Sequence, residues 1–86
     1  MPYITPTDRE KYRNLLLTIQ NIPEISSKGE LEFIIFTLMK KYMSTRKECY
    51  TELHNCVYSA IHCGDEFRRR YLDDRENKAR KENGDC

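Results

Sequence analysis

Apolar residues along this chain recur at helical spacing, and three stretches carry that pattern. In the first, Tyr12, Leu15, Leu16, Ile19 and Ile22 share a face. Thr7-Asp8-Arg9-Glu10 comes before it and fits a capping box, in which the Thr7 hydroxyl accepts an orphan backbone N–H while Glu10 reaches back to Thr7. Pro23 stops the stretch, because it disfavours the α conformation at Ile22 and has no N–H to donate. An N-terminal arm over 1–6 and a helix over 7–22 are predicted.

Ser27-Lys28-Gly29-Glu30 is a second capping box, and behind it Leu31, Ile34, Ile35, Leu38 and Tyr42 form a stripe. The spacing predicts a helix over 28–43. Phe33, Phe36, Met39 and Met43 occupy its other faces. A helix that is apolar nearly all round has to be buried nearly all round. Three short helices cannot enclose their middle member, so a second copy of the chain is expected to cover the remainder.

Thr45-Arg46-Lys47-Glu48 reads as a third capping box, opening a long helix over 46–72. Tyr50, Leu53, Val57, Ala60, Ile61, Gly64, Phe67 and Tyr71 hold a 3–4 spacing within it that suits self-associating helices. Gly64 lies in that stripe and suggests a close helix crossing. The helix is expected to fray or turn near Asp73-Asp74, leaving a charged tail over 73–86 in which Asn83-Gly84 is a turn signal. The fold class is all-α: one small three-helix domain over 1–86, with a long C-terminal helix, assembled as a helical homo-oligomer.

Composition narrows the function classes. A chain of 86 residues with 34% charged and 38% hydrophobic residues is foldable, and it is neither disordered nor membrane-spanning. Its longest apolar run, Phe33 to Phe36, is far short of the roughly 20 residues that cross a bilayer. No secretory leader is visible at Met1-Pro2-Tyr3-Ile4, so a cytoplasmic location with reduced thiols is expected. Cys49, Cys56 and Cys63 recur every seven residues, stacking roughly 10 Å apart on a helix. That is too far for a disulfide or a shared metal ion, so they read as small buried hydrophobes, and neither metal nor cofactor is expected.

The candidate chemistry sits at Glu66-Phe67-Arg68-Arg69-Arg70. Guanidinium forks match phosphate and carboxylate oxygens two at a time. The plainer alternative is that they cap a helix end and pair with Asp65, Asp73 and Asp74, at roughly 0 to 1 kcal/mol per pair. Catalysis is not expected: the chain has three glycines and no phosphate-cradling loop, while His54 and His62 are about 12 Å apart on one helix. A net charge of +1, with acidic residues beside nearly every basic one, argues against a nucleic-acid partner.

A small anionic ligand fits better, because it needs a local cluster of donors and no broad field. Arg69 and Arg70, backed by Arg9 or Lys78, would hold its phosphates. Tyr3 or Tyr71 would stack on a base, and Asn83 and Asp85 would read base edges or ribose hydroxyls.

The opening Met1-Pro2-Tyr3-Ile4 with Arg9, Gly29-Glu30-Leu31-x-Phe33, Glu66-Phe67-x-Arg69-Arg70 and Glu76-x-Lys78 with Asn83-Gly84-Asp85 span the chain. Together they resemble a family of small phage and prokaryotic proteins that open Met-Pro-Tyr-Ile and close Glu-Asn-Gly-Asp. The resemblance implies a compact helical, phage-encoded protein and supplies no chemistry. Arg75 stands where that family tends to have an aromatic residue. Phages encode small helical oligomers that sequester nucleotide signals of bacterial immunity, and this chain is similar in size, helicity and cation–aromatic equipment. The expected function is therefore a non-enzymatic anti-defence protein that binds a nucleotide-derived signal. The alternatives are an inhibitor that binds a host protein and a small DNA-binding regulator.

Overall fold

Thr5, and not Thr7, opens the first helix. Its Oγ1 accepts the Asp8 backbone N–H at 3.2 Å, and Pro6 takes the first helical position, where a missing N–H costs nothing. The computed structural model describes residues 3–83, so Asp85 lies outside the described residues, as does the side chain of Asn83. Helix α1 spans Pro6–Glu10 and α2 spans Arg13–Asn21. The helix expected over 7–22 is thus two helices. Between them Tyr12 leaves helical geometry (φ −103°, ψ 11°) and its N–H bonds the Arg9 carbonyl at 3.0 Å, a tightened last turn. Neither Lys11 nor Tyr12 is a helix breaker, so composition carries no sign of this interruption. Helix α2 ends at Ile22, held extended by Pro23 (ψ 124°).

Helix α3 spans Lys28–Met43. Ser27 Oγ accepts the Glu30 N–H at 3.1 Å and donates to the Glu30 carboxylate at 3.3 Å. At the other end the chain spends its polar groups on closing α3. Ser44 Oγ donates to the Lys41 carbonyl at 2.7 Å, and Arg46 Nη1 donates to the Tyr42 carbonyl at 2.6 Å. The Arg46 guanidinium also lies 3.7 Å from the centre of the Tyr42 ring. Thr45-Arg46-Lys47-Glu48 is therefore no capping box. Helix α4 starts later than expected, at Tyr50, behind Cys49, which makes no side-chain capping bond.

From there the chain is helical without a break. Helix α4 spans Tyr50–Phe67, a π-helical turn spans Arg68–Leu72, and α5 spans Asp73–Asn83. The expected charged tail over 73–86 is helical as far as Asn83. The reason is physical: α5 extends an existing helix, so the cost of nucleation is already met. Its first turn carries Asp73, Asp74 and Glu76 and its last carries Arg80 and Lys81, the polarity that the helix dipole favours.

The chain divides into two compact units, Tyr3–Lys47 and the segment from Glu48 onward. The first holds α1 to α3; the second holds α4, the π turn and α5. Among the described residues Cys56 alone is buried, at 7% exposure. Of its heptad companions, Cys49 is half-buried and Cys63 exposed. The stripe on α3 is open to solvent, and Phe33 and Phe36 are exposed by 62% and 61%. No helix among the described residues is long and apolar enough to cross a membrane.

Candidate functional site: the arginine turn after helix α4

The second unit gathers its charged groups where α4 gives way to the π turn. A π turn advances each residue by a smaller angle than an α turn, so consecutive side chains fan over a narrower arc. Arg68, Arg69 and Arg70 fall in that arc. Glu66, one turn earlier, holds two of them. Its Oε2 accepts from Arg69 Nη2 at 2.6 Å and its Oε1 accepts from Arg70 Nε at 3.1 Å. The Glu66 side chain is only 16% exposed, whereas those of Arg69 and Arg70 are 60% and 52% exposed. One half-buried carboxylate thus orients two guanidiniums that still face water. Arg68 Nη1 lies 3.7 Å from Asp65 Oδ1.

Three guanidiniums against two carboxylates leave one net positive charge in this cluster. Each guanidinium carries five N–H donors, and the Arg69 contact with Glu66 uses one of its nitrogens. Beside them is an open depression of about 430 Å³ lined by His62, Asp65, Arg68 and Arg69.

The expected ligand residues fall on different elements. Arg69, Arg70 and Tyr71 lie on the one turn, and Tyr71 packs against Phe67 with ring centroids 4.6 Å apart. Lys78 is on α5 and pairs with Asp74 at 3.3 Å. Tyr3 and Arg9 belong to the first unit, where Arg9 Nη2 donates to the Ile4 carbonyl at 3.5 Å. The sequence sets Glu66 beside the arginines but gives none of His62, Asp65 and Glu66 a ligand-binding role. Their signal was available: residues 62, 65, 66 and 69 are spaced 3, 1 and 3 apart, so a helix sets them on one face. Among the described residues no three His, Cys, Asp or Glu side chains gather where a metal ion could be held.

These features define an all-helical protein with an exposed, carboxylate-oriented arginine turn. The whole chain, residues 1–86, matches the family described as Domain of unknown function (DUF6899), and it belongs to that family. No curated protein and no solved structure shows significant similarity to it.

Proposed function

We propose that the chain is a non-enzymatic binding protein that takes a small anionic, nucleotide-type ligand at Arg68, Arg69 and Arg70. The observation that carries this reading is the Glu66 clamp. A carboxylate that orients two guanidiniums, one of which lines an open depression together with Arg68, preorganises their geometry, and fixed forks bind phosphate oxygens better than mobile ones. The working form is a homo-oligomer whose contacts cover the apolar side chains of α3 and α4. Holding a ligand without turnover suits sequestration of a nucleotide-derived signal. A phage protein in a bacterial cytoplasm that withholds such a signal from a defence system is the setting we infer.

The test is calorimetric titration with a panel of linear and cyclic nucleotides. Arg69→Ala and Arg70→Ala should lower affinity at least about 10-fold, since a hydrogen bond to a charged group is worth about 1.5–3 kcal/mol. Circular dichroism should be unchanged in both. Wild-type protein that binds no nucleotide sinks the proposal.

A second reading has its own observation. Ser27, Gly29, Glu30, Phe33 and Ile34 line a depression of about 490 Å³ on α3, beside the exposed Phe33 ring. An inhibitor of a host protein would present such a groove. Phe33→Asp separates the two readings: it breaks up the homo-oligomer if a second copy covers this face, and leaves the oligomeric state unchanged if a foreign protein does.

A further inference from the structure

Tyr50, His54, Tyr58 and His62 stand four residues apart on α4, and that spacing lays their rings in one row. The rings meet in turn, with centroids 5.7 Å apart for Tyr50 and His54, 4.2 Å for His54 and Tyr58, and 6.2 Å for Tyr58 and His62. No core uses this row, since Tyr50 is 81% and Tyr58 44% exposed. It ends at the arginine turn, because His62 lines the same depression as Asp65, Arg68 and Arg69. An aromatic row running into fixed guanidiniums has both parts that a nucleotide requires, a stacking surface and phosphate donors.

The two faces of Tyr58 differ. His54 covers one with a nearly parallel ring, 24° off and 4.2 Å away. His62 meets the other at 54° and 6.2 Å, so among the described residues no parallel ring lies against it. His62 follows Tyr58 by one turn in the direction of the arginine turn. Tyr58 and Arg68 are ten residues apart, about 15 Å along a helix axis. Both side chains lean back toward the helix N-terminus and the arginine is the longer, so the span from ring to guanidinium is on the order of 10–15 Å. A mononucleotide is too short to put its base at one end and its phosphate at the other.

Building on the binding function proposed above, we infer that Tyr58 is the base-stacking residue of that site. The geometry selects a ligand whose base and outermost phosphate are separated by on the order of 10–15 Å. A nucleoside diphosphate and a linear dinucleotide share that chemistry. Tyr71, one of the two stacking residues expected from sequence, is engaged by Phe67.

Titration with ADP, linear diadenylate, AMP and pyrophosphate, on wild type, Tyr58→Leu and Tyr58→Phe, tests the inference. ADP or diadenylate should bind more tightly than AMP, and which of the two wins identifies the source of the second phosphate. Tyr58→Leu should weaken the tighter of them by roughly 5- to 100-fold, the range for loss of one stacked base. Pyrophosphate should bind Tyr58→Leu as it binds wild type, and Tyr58→Phe should retain nucleotide affinity. Equal loss for pyrophosphate, no loss at all, or AMP binding as tightly as the longer probes would overturn it. Binding that depends on Arg69 but is indifferent to Tyr58 removes this inference and leaves the proposed function standing. Wild-type protein that binds none of the probes removes both.

Discussion

Helices α3 and α5 answer the same physical requirement in opposite ways. Helix α3 carries Leu31, Phe33, Ile34, Ile35, Phe36, Leu38 and Met39 around its circumference and has few polar groups to face water. Helix α5 is Asp-Asp-Arg-Glu-Asn-Lys-Ala-Arg-Lys-Glu-Asn and has nothing to bury. For α5, local terms suffice: continuity with α4, charges that follow the helix dipole, and the Asp74–Lys78 pair. Local terms cannot hold α3, because its side chains are stabilised only when something covers them. Burying one such side chain is worth about 1.5–3 kcal/mol, several times an exposed ion pair. The comparison separates a helix that local terms account for from one whose apolar side chains they leave exposed.

The largest expected effect comes from breaking the α3 side of that contrast. Phe36→Asp or Leu38→Asp should dissociate the proposed oligomer and lower helicity at micromolar protein, by sedimentation velocity and circular dichroism. Ala79→Asp on α5 should change neither. If the α3 variants stay assembled and keep the wild-type melting temperature, those side chains are not the ones a partner covers.

Next in size is the clamp. Glu66→Gln removes the charge that orients Arg69 and Arg70 without changing side-chain length. It adds one net positive charge, so simple attraction would strengthen anion binding. Preorganisation predicts the opposite, a loss of about 3- to 10-fold in nucleotide affinity by titration, in keeping with a fixed hydrogen bond worth about 1 kcal/mol. Tighter binding by the variant would mean that the clamp only neutralises the arginines.

A smaller effect separates two capping boxes that look alike in sequence. Ser27→Ala should cost about 1 kcal/mol in thermal or urea unfolding, because the hydroxyl bonds Glu30. Thr45→Ala should stay within about 0.5 kcal/mol, because no helix starts there. Equal losses at the two sites would contradict this assignment. The smallest effect belongs to Lys78→Gln, about 0.3–0.5 kcal/mol of helix stability for one i,i+4 pair, reduced further in high salt.

The helical class and the limits of α3 were legible because Ser27, Glu30 and Pro23 act through the backbone, and their neighbours do not change that chemistry. Thr45 misled for the opposite reason. Its box is intact in sequence, but Ser44 and Arg46 are drawn into closing α3, so the next helix begins at Tyr50. The break at Tyr12 has no composition signal. At the candidate site, the cluster Arg68-Arg69-Arg70 is legible from residue type alone. Glu66 stands in the same run, but its double role depends on the π turn, which no residue type announces. The row from Tyr50 to His62 was visible as an i,i+4 repeat; weighing its two histidines only against each other hid the tyrosine between them.

Native mass spectrometry of the purified chain, before and after addition of cyclic and linear nucleotides, tests the central claim most directly. The account predicts a discrete homo-oligomer at micromolar concentration that gains whole-number nucleotide masses, and that loses them in Arg69→Ala while staying assembled. A monomer that keeps its helicity, or an oligomer that takes up no nucleotide, would contradict it.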